Sequence, residues 1–255
     1  MPNAATLPLL LKQLALPSMY ANWETAAKQA EKNHWSYPEY LTVLSDQEAV
    51  IRQQKRIQRH LKESKLPPGK TLDSYDFTAT QSVNAAQITA LADNTNWVSQ
   101  ANNVVIFGPS GVGKTHLASA IAHRLVQQGV RSLFVSTTSI VQKLQVARGE
   151  YKLQEIINKL ARYPLLILDD FGYVKKSEAE TSVLFELIAQ RYETCSLLIT
   201  SNQAFSEWDQ IFPDNVMAVA AIDRLVHHAT IINIQGESYR QKNAKQKIGG
   251  DKVKS

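Results

Sequence analysis

Val104-Val105-Ile106-Phe107-Gly108-Pro109-Ser110-Gly111-Val112-Gly113-Lys114-Thr115 is the stretch that decides the fold of this chain. Its opening apolar run suits a strand buried on both faces, and the glycine-rich run has the form Gly-x-x-x-x-Gly-Lys-Thr. Glycines at these places let the backbone curl until successive N–H groups face phosphate oxygens, and the N-terminus of the next helix favours negative charge. The pattern therefore predicts a cradle for a nucleoside triphosphate built from Gly108, Pro109, Ser110, Gly111, Val112 and Gly113. Lys114 would reach the β- and γ-phosphates and Thr115 would put its hydroxyl on Mg²⁺. His116 would join the nucleotide site, and Val112 with His116 to Leu125 is expected in a helix under the sheet.

Composition sets the frame around this stretch. The chain has 255 residues, 44% of them hydrophobic, enough for one substantial core and a smaller appendage. No apolar run approaches the roughly twenty residues of a membrane span, and the N-terminus has no leader pattern. The expectation is a cytoplasmic protein with no membrane partner. Cys195 is the single cysteine; it has no disulfide partner in the chain and is expected as a small buried thiol. The net charge of +5 is moderate, so its distribution matters more than its total.

Upstream of the cradle, the chain is rich in Leu, Ala, Gln, Lys and Glu with helical apolar spacing, which predicts a helical N-terminal domain over 1–70. Ser36 with Glu39 has the form of a capping box, opening a helix expected to run to about Lys65. On it, Arg52, Lys55, Arg56, Arg59 and Lys62 recur at spacings that place them on one face, with Val50, Ile57 and Leu61 opposite. Such a stripe is either a solvated face or a phosphate-tracking surface for nucleic acid. Trp23, Trp35, Tyr37 and Tyr40 suit either base stacking or a small core. Lys65-Leu66-Pro67-Pro68-Gly69-Lys70 ends the helix and marks the boundary. Beyond it Phe77 is expected near an adenine pocket, and Ala85 to Leu91 as a short helix.

Downstream, Gly129 suits a left-handed helix end before the strand Ser132-Leu133-Phe134-Val135. Ile140 to Val146 reads as a helix, and Arg148 to Lys159 as a charged mixture. Leu165-Leu166-Ile167-Leu168-Asp169-Asp170 is a second buried strand, ending in carboxylates at the edge where open α/β sheets place ligands. Asp169 is the candidate Mg²⁺ holder and Asp170 the candidate base orienting an attacking water; a strand ending in a polar turn is the plainer alternative. Glu178 to about Tyr192 reads as a helix. Ser196 to Asn202 repeats the apolar-then-polar pattern, and Asn202, with Thr200 nearby, either contacts the γ-phosphate or water or caps a turn. Helices from Phe205 to Phe212 and Val216 to Val226 precede a last strand, Thr230 to Ile234. About five parallel strands are expected, with a basic, disordered tail over 241–255.

Two carboxylates on one strand, a polar-ended strand after it and an arginine before a late strand resemble the AAA+ ATPases. Within that superfamily, Lys65-Leu66-Pro67-Pro68-Gly69-Lys70-Thr71-Leu72-Asp73-Ser74-Tyr75-Asp76-Phe77, Phe205-Ser206-Glu207-Trp208 and Gly236-Glu237-Ser238-Tyr239-Arg240 resemble the IstB family. These are transposition helper ATPases encoded beside an insertion-sequence transposase and related to DnaC-type helicase loaders. The resemblance implies an AAA+ P-loop domain over 71–240 that hydrolyses ATP with Mg²⁺ and forms an ATP-dependent homo-oligomer. It would bind double-stranded DNA and recruit a cognate transposase. Arg224 matches the arginine finger that serves a neighbouring subunit, and Arg240 the second sensor arginine of its own subunit. Asp170 departs from the usual glutamate, implying slow or partner-stimulated hydrolysis. The alternatives are a helicase loader of the same fold, a nucleotide-gated DNA-binding module with little hydrolysis, and a small-molecule kinase, which lacks an evident second substrate pocket here.

Overall fold

The computed structural model describes residues 4–80, 82–172, 177–204, 207–208, 215–236 and 238–239. Arg240, the tail 241–255 and the expected helix start at Phe205 lie outside them. The chain divides into two compact units, Met1–Arg59 and His60–Ser255.

The first unit is helical. Its elements are α1 (Leu7–Gln13), α2 (Pro17–Asn33) and most of α3, which runs Tyr37–Ser64. Pro17 starts α2 because its fixed φ suits a first helical position and its missing N–H is not needed there. His34, at φ 53°, closes α2 in the left-handed conformation. At the start of α3 the Ser36–Glu39 capping box forms: the Ser36 N–H donates to Glu39 Oε2 at 2.7 Å, and the Glu39 N–H to Ser36 Oγ at 3.4 Å.

Leu11, Ala26 and Leu44 are buried, and so is Glu48, only 3% exposed. Glu48 Oε2 accepts the N–H groups of Ser18 at 2.8 Å and Met19 at 3.1 Å, capping α2 from a different helix. Arg52 Nε donates to Glu48 Oε1 at 2.9 Å, and a second Arg52 nitrogen donates to the Ala15 carbonyl. Burial pushes the Glu48 pKa up, but the Arg52 bond and the two backbone N–H donors outweigh it and leave the carboxyl below its usual value. One expectation falls here: Val50 is 52% exposed, because Leu44 and Glu48 take the inward positions.

The second unit is built on a parallel sheet of five strands, β1 (Asn103–Phe107), β2 (Ser132–Ser136), β3 (Leu165–Phe171), β4 (Ser196–Ser201) and β5 (Ala229–Asn233), in the order β2-β3-β4-β1-β5. Alternation along the strands divides the core in two. Val104, Ile106, Leu165 and Ile167 pack with α4 (Ala85–Asp93), α5 (Asn96–Ser99) and α6 (Lys114–Gln127), through Ile88, Trp97, Leu117 and Ile121. Val105, Phe107, Leu166 and Leu168 pack on the opposite face with α7 (Thr137–Gly149), α8 (Leu153–Ala161), α9 (Glu178–Arg191) and α10 (Asn215–Val226). Both faces are covered, and the runs 104–107, 165–168 and 197–199 in the three inner strands are unbroken apolar stretches.

Several boundaries differ from the sequence expectation. α6 begins at Lys114, leaving Val112 buried in the loop before it. α7 starts at Thr137 because the Ser136 side chain caps it, accepting the Ser139 N–H. The charged mixture after Arg148 contains α8, which presents Leu153, Ile156, Ile157 and Leu160 to the core. Cys195 is partly exposed, its Sγ 3.6 Å from the Ala161 carbonyl, rather than a buried thiol. Beneath it Arg191 is buried in α9 and donates to the carbonyls of Leu160, Tyr163, Pro164 and Ser196. Burial lowers its pKa to about 10.

Candidate nucleotide site

The site lies where the strands end. β1 delivers the chain into the loop, and the Gly108 N–H donates to the Ser201 carbonyl at 3.2 Å, tying the loop to the end of β4. A side chain at 108 is excluded because a Cβ there would stand 2.3 Å from the Ile234 carbonyl oxygen. Gly113, at φ +99°, turns the chain into α6 with the Tyr75 ring 3.2 Å from where its Cβ would be. Trp208 packs behind, on Phe107 and Phe171, with its indole N–H toward Ser201 Oγ at 3.3 Å and the Gln203 carbonyl at 3.2 Å.

Over the loop opens a cavity of about 410 Å³. Ser110, Gly111, Val112, Gly113, Lys114, Thr115 and His116 line it, together with Asp170 and Asn202 from the ends of other strands. Lys114 is 6% exposed, and its ammonium donates to the Gly108 and Pro109 carbonyls, both at 2.8 Å. Its cationic group thus sits at the loop, with neutral acceptors in those two bonds.

Asp169 is 7% exposed. Burial raises its pKa, against the opposing effect of hydrogen bonds from the Thr200 and Thr115 hydroxyls; Asp170 adds to the rise and Lys70 reduces it. A carboxylate beside a threonine hydroxyl is a hard-oxygen pair of the kind Mg²⁺ takes alongside phosphate oxygens, so the residues fit that ion. Asp170 has φ 56° and its side chain is exposed at the cavity.

A wall of the cavity comes from a segment to which the sequence reading gave no role beyond Phe77. Lys70, Ser74, Tyr75, Asp76 and Thr80 line it, as does Tyr239. Phe77 is not among the lining residues but packs edge-on against Tyr75, which is, with ring centroids 4.8 Å apart. His116 holds this wall: its Nε2 lies 3.1 Å from both Ser74 Oγ and the Thr71 carbonyl, and its ring meets Tyr75 edge-on. Burial raises the Tyr75 pKa, so its phenol stays protonated. The Tyr239 N–H donates to the Gly111 carbonyl at 3.0 Å, bringing the chain after β5 onto the loop.

Arg224 lies elsewhere. Its guanidinium donates to the Ala220 carbonyl at 2.8 Å and faces the rings of Phe185 and Tyr192. Its carbonyl is 3.5 Å from Asn103 Nδ2, at the first residue of β1, whereas the cradle follows the last. Four steps along this five-residue strand separate those ends by about 13 Å, more than an arginine side chain spans. Arg224 therefore cannot reach the cavity of its own chain from this position.

Arg52, Lys55, Arg56, Arg59 and Lys62 are all exposed. Arg52 differs from the rest because Glu48 and the Ala15 carbonyl engage it; among the described residues Lys55, Arg56 and Arg59 have no ion-pair partner. No helix among the described residues is long and apolar enough to cross a membrane.

The family model for IstB-like ATP binding proteins matches residues 9–247. A putative insertion sequence ATP-binding protein of Sinorhizobium fredii is 49% identical over 242 residues, covering 95% of this chain and 81% of that one. The insertion sequence IS21 putative ATP-binding protein of Pseudomonas aeruginosa is 38% identical over 243 residues, covering 95% and 91%. Among solved structures, AMPPCP-bound DnaA from Aquifex aeolicus has a TM-score of 0.56 at 21% identity, over 73% of this chain and 56% of that one. The DnaC helicase loader has a TM-score of 0.53 at 21% identity, over 66% and 97%. The structural likenesses show that the chain shares the fold of those two proteins, and the match across nearly the whole sequence shows that it belongs to the IstB-like ATP-binding family.

Proposed function

We propose that this protein is an ATP-dependent DNA-binding helper that assembles on double-stranded DNA and recruits or stimulates a transposase. The observation that carries the reading is the convergence of Lys114, Thr115, Asp170 and Asn202 on one cavity, with the Asp169 carboxyl beside Thr115 behind it. The names of the relatives, insertion sequence ATP-binding proteins, support the setting.

In this reading Lys114 moves its ammonium onto the β- and γ-phosphates, while Thr115 and Asp169 hold Mg²⁺. The ion, when bound, neutralises charge building on the phosphate oxygens. Asp170 orients the attacking water and Asn202 contacts the γ-phosphate. Arg224 completes the site of a neighbouring copy, where such an arginine is worth about 10³ to 10⁵ in rate. Arg240 is the proposed second sensor. Asp170 is one methylene shorter than glutamate and holds water less closely, so turnover is slow and stimulated by DNA or the partner.

ATP and DNA each raise affinity for the other if nucleotide selects the assembled form. The test is duplex DNA binding with and without ATP, with phosphate release measured alongside. Lys114→Ala is expected to abolish the ATP enhancement, and enhancement at the wild-type level would refute the coupling. Arg224→Ala is expected to bind nucleotide but lose turnover; full ATPase activity removes it as a finger.

A further inference from the structure

The end of β3 carries a bulge. Its ladder with β4 pairs Leu168 with Ile199 and resumes at Phe171 with Ser201, leaving Asp169 and Asp170 opposite Thr200 alone. Thr200 is completely buried. Its hydroxyl donates to Asp169 Oδ1 at 2.6 Å and accepts the Asp170 backbone N–H at 3.0 Å. A side chain thus supplies the acceptor that a regular ladder would have taken from backbone. The same hydroxyl holds a carboxylate oxygen with its one proton.

We infer that Thr200 is a positioning residue for the metal-binding end of this site, fixing the Asp169 carboxylate through Oδ1 and stabilising the bulge that turns Asp170 toward the cavity. The inference rests on the reading of Asp169 as a Mg²⁺ holder. A carboxylate free to rotate meets Thr115 and a cation in the right orientation only part of the time. Partners of this kind behind a metal ligand are worth about 10- to 100-fold in metal affinity. Asp170 depends on the contact as well, because its φ of 56° is uncommon outside glycine and needs a partner that holds the peptide in place.

Valine keeps the shape of threonine and removes both hydrogen bonds; serine keeps both. The experiment titrates Mg²⁺ into the full chain with a fluorescent ATP analogue and reads nucleotide affinity, with the affinity in EDTA as the measure of an intact cradle. Thr200→Val is expected to raise the Mg²⁺ midpoint about 10- to 100-fold with its EDTA affinity unchanged, and Thr200→Ser to return the midpoint to wild type. A Val midpoint equal to wild type overturns the inference, and so does a serine variant that behaves like valine. If Thr200→Val does not fold, Thr200→Ala against Thr200→Ser poses the same comparison. A wild-type protein indifferent to Mg²⁺ overturns the reading of Asp169 itself, a result separate from equal midpoints in wild type and variant.

Discussion

Replacing Lys55, Arg56 and Arg59 together by alanine tests whether the basic face of α3 follows a phosphate backbone. All three are exposed, and alanine is a better helix former, so the substitution should leave stability within about 0.5 kcal/mol per site. Helical geometry places Lys55 and Arg59 one turn apart, about 6 Å along the axis, with Arg56 beside them. Each cation that neutralises a phosphate contributes about 0.9 to the slope of log affinity against log salt, and three contribute about 2.7. Over a fourfold rise in salt, three such contacts account for roughly a 40-fold loss of affinity. The assay is equilibrium binding of duplex DNA at several salt concentrations, with ATP present throughout. The triple variant should show a slope shallower by about 2.7, and a wild-type slope would refute the stripe as the DNA surface. Arg52 is the internal control. Its guanidinium is engaged by Glu48 and Ala15, so Arg52→Ala should leave the slope unchanged while weakening the first unit by about 1–3 kcal/mol, the cost of leaving a buried partner unsatisfied.

The Glu48 carboxyl is held below its ordinary 4.5, so the stability it contributes is fully present above that value and is lost as pH falls through its lowered folded pKa. Hydrogen exchange at the Ser18 and Met19 amides should report this loss, and Glu48→Ala should abolish their protection at neutral pH; wild-type protection would refute the cap. Gly108→Ala forces a Cβ to 2.3 Å from the Ile234 carbonyl and should cost at least the 1–3 kcal/mol of ordinary overpacking, with a Tm lower by several degrees and nucleotide binding impaired. Gly149→Ala, with nothing within 4 Å of the added carbon, should leave Tm and nucleotide affinity at or above wild type.

The cradle and its strands were legible because the signals are local. An unbroken apolar run with glycines behind it identifies β1 and its loop, and β3 reads the same way until Asp169. What escaped was set by partners distant in sequence. Glu48 sits inside because it caps a helix thirty positions earlier, and Val50 is left outside as a result. Tyr75 reaches the cavity because His116 fastens the turn at Ser74, a contact that spacing does not announce. α8 is a different failure: Leu153, Ile156, Ile157 and Leu160 carry a helical period, which the charges between them obscure.

Asn103 stands at the opposite end of β1 from the cradle, and its amide is engaged at both atoms. Its oxygen accepts the Leu197 N–H at 2.9 Å and its nitrogen donates to the Leu225 carbonyl at 3.1 Å, anchoring the last turn of α10 to the strand beginnings. An arginine fixed there and a cavity at the strand ends are unlike surfaces, and the proposed contact of one with the other on the next copy can form in two ways. A two-fold pair makes that contact twice, each copy's arginine at the other's cavity, and stops there. Repeated from copy to copy instead, the contact generates a closed ring or an open helix, and a helix of subunits is a form able to lengthen along a DNA duplex.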